Sequence, residues 1–410
     1  MNKPKIRFKG FEGEWKEMQF EVAFEYQRNN SLSRAELSDE GIVANIHYGD
    51  VLIKYGECLD VSKDVLTYVK DKKISMALYK KGALRNGDVI FADAAEDNMV
   101  GKCTEVICEE NVCIVSGLHT IACRPQVEIV ERYLGYSLNS PSFHNQLLPH
   151  IQGTKISSIS KNALSSTSIS LPSLPEQRAL ASYFTSLDAQ IAASTSRLSS
   201  LKQIKAASLL NMFPQKGETV PRVRFKGFQG EWKERKLGEI AIVNPKCDLP
   251  KSFEYVDLES VVGTEMKSHR REFRESAPSR AQRLARKGDI FYQTVRPYQK
   301  NNYLFNLDYS DYVFSSGYAQ IQALKDERFL FTVVQSDYFL KQVMDNCTGT
   351  SFPSINPTLL RNLIVYNCSI DEQRAIGQYF TALDAQITLH RERLEKLKQI
   401  KAACLEKMFA

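Results

Sequence analysis

The 410-residue sequence has few tryptophans and few histidines, two and six, and no apolar run approaches the roughly 20 residues that cross a bilayer. No membrane-spanning helix is therefore expected. The opening MNKPKIRFKGFEGEW lacks the apolar core of a secretory signal, so no leader is expected either. The nine cysteines are an odd number and include no C-x-x-C pair, which reads as free thiols in a reducing cytosol. Cys103, Cys108, Cys113 and Cys123 cluster, but not at zinc-ligand spacing. The stretch CTEVICEENVC reads as buried thiols on short strands, and no metal site is expected.

Signatures of catalysis are missing too. Asn244-Pro245 and Asn356-Pro357 do not extend into the N/D-P-P-Y/F motif of adenine methyltransferases. Gly82-x-x-x-x-Gly87 is followed by Asp88, which would repel a phosphate, and no Gly-x-Gly cofactor loop occurs. Glu14-x-Lys16 and Glu231-x-Lys233 have no upstream Pro-Asp to complete a nuclease site. The net charge of +6 permits a polyanionic partner without demanding one. Between Lys267 and Lys287, eight Lys/Arg face two Glu, a local excess of six. Such a run is usually a solvated face.

What the sequence does contain is itself, twice. RFKGFEGEW (7–15) returns as RFKGFQGEW (224–232) at an offset of 217, and these openings hold both tryptophans. EQRALASYFTSLDAQI from Glu176 returns as EQRAIGQYFTALDAQI from Glu372, an offset of 196 shared by LKQIKAA and by Met212-Phe213 with Met408-Phe409. The regions between diverge, the first being 21 residues longer, yet NGDVIFAD (86–93) answers KGDIFYQT (287–294) and Gly153-Thr154 answers Gly349-Thr350. Short apolar runs between Gly-Asp, Asn-Gly and Ser-Gly turns predict α/β (α+β) units of many short strands. YGDVLIKYG (48–56) reads as the clearest strand and turn.

The repeated blocks predict long helices. Ser173-x-x-Glu176 and Ser369-x-x-Glu372 read as capping boxes. Apolar residues then step by three and four: Phe184, Leu187, Ile191, Leu198 and Leu201, and in the second copy Phe380, Leu383, Ile387, Leu394 and Leu397. Pro214 and Gly217 end the first helix. Each helix would be about 58 Å long. One apolar stripe per helix needs a partner, and its own repeat is available. Parallel packing would need a return of that length over about twenty residues, barely reachable at ~3.3 Å each. An antiparallel coiled coil with a pseudo-two-fold axis is expected, Ser194 and His390 meeting at its middle. The predicted boundaries are 1–172 for the first domain, 173–213 for its helix, 214–221 for a linker, 222–368 for the second domain and 369–410 for the second helix.

Two similar domains on a rigid spacer suit a ligand that offers two sites at fixed separation, such as duplex DNA. The order of parts, the two EQRA helix starts, the Gly-Thr turns, the RFKGF-x-GEW openings and PSRAQRLARKGDIFYQTVRPYQK (278–300) resemble the specificity subunits of type I restriction-modification systems over the whole chain. The resemblance implies a non-catalytic subunit with two target recognition domains, each binding half of a bipartite DNA site. It implies helices that set the spacing and dock two methyltransferase (modification) subunits, which recruit restriction/translocase subunits. The chain itself would carry no cofactor. S-adenosylmethionine, ATP and Mg would belong to the partners, in the cytoplasm of a bacterium. The alternative is a sequence-nonspecific nucleic-acid adaptor bridging proteins through its coil.

Candidate DNA contacts in the second domain are Arg280, Arg283 and Arg286 at a spacing of three, then Arg296, Tyr298 and Lys300, then Thr350 and Ser351. In the first they are Lys80, Lys81, Arg85, Thr154 and Lys155, with the acidic DAAEDN (93–98) able to accept from cytosine N4. Arg178, Gln190, Arg374 and Gln386 lie off the seam and are candidates for partner docking.

Overall fold

Each repeat opens with an arginine whose carboxylate partner lies well over a hundred residues downstream. In the computed structural model, which describes residues 3–410 apart from Asn98, Glu110 and Thr154, Arg7 donates both Nε and Nη2 to Glu176 at 2.7 Å. Arg224 does the same to Glu372, at 2.6 and 2.8 Å. Each guanidinium also closes its own motif. Arg7 donates to the carbonyls of Glu12 and Gly13, and Arg224 to those of Gln229 and Gly230. The predicted capping boxes are corrected here. Both carboxylates bond the opening arginines, although Ser369 Oγ still accepts from the Glu372 amide at 3.4 Å.

Two long helices, Leu174–Asn211 and Ile370–Lys407, carry the repeated blocks. The chain divides into two compact units, Met1–Ser194 with Arg393–Ala410, and Thr195–Glu392. Each unit thus takes a segment from both helices.

In unit one the helical segments run antiparallel, because contacts rise in number on one as they fall on the other. Tyr183 Oη meets Cys404 Sγ at 3.4 Å, and Asp188 meets Lys401 at 2.5 Å. Phe184 stacks on Phe409 at 5.5 Å, and Trp15 approaches the same Phe409 edge-on at 6.4 Å. Unit two repeats this internally. Tyr379 meets Ser208 at 2.9 Å, Asp384 meets Lys205 at 2.5 Å, and Phe213 lies against Phe380 and Trp232. All these pairs correspond at the offsets of 196 and 217. Of the seam residues, Ile191 and Ile387 are half-buried and the other eight are buried. Ser194 is buried and His390 half-buried.

The two variable regions each contain a related sheet that their sequences hide. In unit one its strand order is Phe24–Tyr26, Thr120–Pro125, Val89–Ala92, Cys103–Ile107, Cys58–Asp60. In unit two it is Ala241–Val243, Tyr318–Ala323, Ile290–Gln293, Tyr303–Leu304. A second sheet in each holds a parallel pair, Ile114–Ser116 on Ala44–Ile46 and Tyr312–Ser315 on Ser252–Val256. The Gly-Asp turn entering the central strand is common to both. Gly87 and Gly288 have φ of 81° and 91°, and the next aspartates, Asp88 and Asp289, accept the amides of Arg85 and Arg286 at 2.8 Å. Cys103 and Cys123 are buried on strands, and Cys108 and Cys113 are half-buried beside them.

One reading of the sequence is overturned. The segment 48–56 is led by a helix, Tyr48–Ile53, not a strand. Val51 is buried, and His47 Nδ1 accepts the Gly49 amide at 3.2 Å to cap the start. At the far end Lys102 Nζ donates to the carbonyls of Leu52 and Tyr55, at 2.9 and 3.0 Å. These caps come from outside the segment's own pattern, and alternation alone could not reveal them.

Candidate nucleic-acid interface

After the central strand of each domain, the chain enters a loop stitched to the loop before the next repeated block. In unit two Val295 bridges to Ser354, the Arg296 amide donates to the Pro353 carbonyl at 2.8 Å, and the Ile355 amide to Thr294 at 3.1 Å. In unit one Ala94–Ala95 pairs with Ser157–Ser158, and the Ile159 amide donates to Asp93 at 2.9 Å. The frame is common and the side chains it presents are not.

Unit two presents a cation over an aromatic ring. Arg296 Cζ lies 4.3 Å from the Phe352 ring centroid, and Phe352 is 60% exposed. Arg296 and Lys300 both adopt left-handed backbone, φ 53°, on either side of the turn Pro297–Gln299 that carries exposed Tyr298. Gln293 braces the turn, donating to Val295 O and Gln299 Oε1 at 2.7 and 2.8 Å. Lys300 is also a brace, since its ammonium is bonded to Asp337 at 2.6 Å and to the Gln335 carbonyl at 3.3 Å. Thr350 and Ser351 are exposed on the facing loop.

Unit one presents a groove of about 490 Å³ lined by Tyr48, Met99, His119, Ile156, Glu96 and Asp97. His119 Nδ1 lies 3.2 Å from Asp93. Burial pushes the Asp93 carboxyl up, and His119 pulls it back. Ala94, Ala95, Glu96 and Asp97 thus line an apolar cleft with a carboxylate rim. Lys155 is exposed on the loop that holds Ile156, and Thr154 lies outside the described residues. Lys80 and Lys81 are exposed in the last turn of the helix Lys72–Gly82, and Arg85 is exposed at the Gly-Asp turn. The first-domain cations thus occupy three separate elements.

Four of the eight cations in the basic run of unit two are paired with acids, most of which lie outside the run. Lys267 pairs with Glu265, Arg270 with Asp257 and Glu272, Arg271 with Glu254 and Asp311, and Lys287 with Asp308. Hydrogen bonds from His269 and Arg271 hold Glu254 below the usual carboxylate range. Arg280, Arg283 and Arg286 do not form one stripe. Arg283 sits in the strand Ala281–Leu284, half-buried, and Arg280 and Arg286 are exposed beyond its two ends. Arg283 Nε is buried with no hydrogen-bond partner, and burial lowers the guanidinium's pKa. Arg178, Gln190, Arg374 and Gln386 are all exposed on the long helices. Among the described residues no His, Cys, Asp or Glu gather as metal ligands.

Sequence reading missed Phe352 and the Arg7–Glu176 and Arg224–Glu372 clasps. The clasps left a signal, because both members recur in fixed motifs at opposite ends of each variable region. Phe352 left none.

A frame built twice, with different side chains on the same pair of loops, defines a tandem recognition protein. Residues 12–203 and 229–399 match the type I restriction modification DNA specificity domain, and the chain belongs to that family, whose members recognise DNA and leave catalysis to other subunits. It is 25% identical over 307 residues to the type I restriction enzyme MjaVIII specificity subunit of Methanocaldococcus jannaschii, covering 66% of this chain and 67% of that one. The fold is similar to the crystal structure of a type I restriction-modification S subunit from M. genitalium, with TM-score 0.63 and 15% identity over 100% of this chain and 99% of that one. It is also similar to a chain from a structure on assembly and conformational transition of the type I R-M system, with TM-score 0.51 and 17% identity over 95% and 96%. No helix among the described residues is long and apolar enough to cross a membrane.

Proposed function

We propose that each recognition domain reads one half of a bipartite duplex DNA site through its paired loops, and that the long helices set the spacing between the halves. The observation that carries this is the shared loop frame with opposite chemistry, Arg296 over Phe352 in one domain and Glu96 with Asp97 around an apolar groove in the other. A nonspecific adaptor would need no such divergence, since phosphates look alike along any duplex. The exposed helix positions Arg178, Gln190, Arg374 and Gln386 then dock two methyltransferase subunits, one for each repeat, and restriction/translocase subunits join through the complex. S-adenosylmethionine, ATP and Mg act on those subunits, in the cytoplasm. Domains 1–172 and 222–368, helices 173–213 and 369–410 and the linker 214–221 are the working divisions.

The test is long-read methylation mapping of a host that expresses this chain with its modification subunit. A bipartite motif is expected. Replacing residues 17–175 by the equivalent region of another specificity subunit should change one half of that motif and keep the other. Methylation without a motif, or a swap that alters both halves, overturns the reading.

A further inference from the structure

Several cations of the second domain, among them Arg270, Arg271, Lys287 and Lys300, are ion-paired, and Arg296 differs both from these and from the exposed Arg280 and Arg286 in its setting. It has no ion pair among the described residues, it lies over an exposed ring, and it projects from the loop pair that varies between the repeats. Its backbone is held left-handed, a conformation that a non-glycine residue keeps only where its surroundings fix it. Here the fixing groups are Pro297, the Pro353 carbonyl and the brace formed by Gln293, Gln299 and Lys300. The corresponding position after the first domain's central strand is Ala95, buried and in a strand pair.

A phosphate accepts hydrogen bonds from many directions, so a flexible arginine suffices for it. A base edge demands an oriented fork. Stacking on a ring fixes the guanidinium while leaving its N–H donors for a ligand. Two parallel N–H donors match guanine O6 and N7 in the major groove. Building on the half-site reading above, we propose that Arg296 is a specificity-determining residue that reads one guanine of the second domain's half-site, with Phe352 as the residue that positions it.

The experiment uses the full chain with its modification subunit and duplexes carrying the mapped motif. Each guanine of the second domain's half-site is replaced in turn by 7-deazaguanine, which lacks the N7 acceptor. One replacement should weaken wild-type binding by roughly five- to a hundredfold. The same replacement should have little further effect on R296A, which should methylate sites with other bases at that position while keeping the first half-site. F352A should blunt discrimination at the same base, and F352Y should restore it. A merely structural Phe352 would lower binding to all duplexes alike. The proposal is overturned by a half-site without guanine, by 7-deazaguanine effects that add to those of R296A, or by R296A weakening all duplexes uniformly with the motif unchanged, as a phosphate contact would. If wild-type mapping yields no bipartite motif, the half-site reading itself fails. A bipartite motif indifferent to R296A sinks this proposal alone.

Discussion

Removing the Arg224 side chain tests what the repeated opening motif does. Glu372 is 1% exposed and its two oxygens take the Arg224 fork at 2.6 and 2.8 Å. Deleting the arginine leaves a carboxylate in a dry site, and breaking a buried pair on one side costs about 3–5 kcal/mol. The bonds from Arg224 to the carbonyls of Gln229 and Gly230 are exposed, and water replaces them cheaply. R224A should therefore lose about 3–4 kcal/mol, nearly all of it from the stranded Glu372. R224A/E372Q should recover part of this loss, because the uncompensated charge is gone. Protein with two compact units does not unfold in one step, so a local probe is needed. In a W15F background the remaining tryptophan, Trp232, is 2% exposed beside Phe213 and Phe329, and its emission follows unit two in urea. Hydrogen exchange in the strand Lys233–Lys236, which pairs with Ile364–Asn367, gives a second readout. A loss below about 1 kcal/mol, the worth of an exposed ion pair, would refute the clasp.

Burial pushes Glu105 up to about 7, despite amide bonds from Arg132 and Gly135 that favour its charge. Its folded pKa exceeds the unfolded value of about 4.3, so its contribution is complete below that value and lost as pH rises through 7; the urea midpoint of unit one should fall over that window, and less in E105Q, an equal fall contradicting the assignment. A Cβ on Gly135 would sit 2.2 Å from the Glu57 carbonyl, so G135A should unfold unit one or cost at least about 3 kcal/mol, read as a lowered melting temperature, whereas G56A, with open space at its Cβ, should be near neutral. Adding one heptad to both long helices lengthens each by about 10 Å, so methylation mapping should show the same half-sites about three base pairs further apart; an unchanged spacing removes the helices as the ruler.

The parts that could be read in the sequence are those whose cause is local or repeated. The heptad steps from Phe184 to Leu201 and from Phe380 to Leu397 follow from helix periodicity alone. The antiparallel direction followed from chain length. The helix at Tyr48–Ile53 was misread because one cap, His47, lies just before the segment and the other, Lys102, reaches it through tertiary contacts. The partners of the charge run are also distant in sequence. Arg271 meets Asp311 forty residues away, and Lys287 meets Asp308 twenty-one residues away, so counting neighbours in sequence overstated the field. Arg296 was legible as a cation after a strand, but its ring came from a loop more than fifty residues downstream.

The internal symmetry explains how such a chain can change what it reads without ceasing to fold. The pairs that join the opening motif to a long helix within a unit recur in the other, Arg7–Glu176 as Arg224–Glu372 and Phe8–Tyr183 as Phe225–Tyr379, and so does the helix-to-helix pair Asp188–Lys401, as Asp384–Lys205. These contacts secure both ends of each variable region, so its entry and exit are fixed whatever lies between. The shared sheet is held inside that clamp by apolar burial, which tolerates exchange of side chains of similar volume. Asp88 and Asp289 show the tolerance directly. Both close the same turn, but Asp88 is paired with Arg124 and Asp289 is bonded by Gln320 and Gln322. The struts that tie each domain to the second helix differ as well, Glu57 to Lys401 in unit one and Glu265 to Arg391 in unit two. The loops that leave the sheet carry almost none of this burden. Substitution at Arg296, Phe352, Glu96 or Asp97 therefore alters the presented chemistry at little cost to the frame, and duplication followed by divergence at those loops is enough to give one chain two different readers.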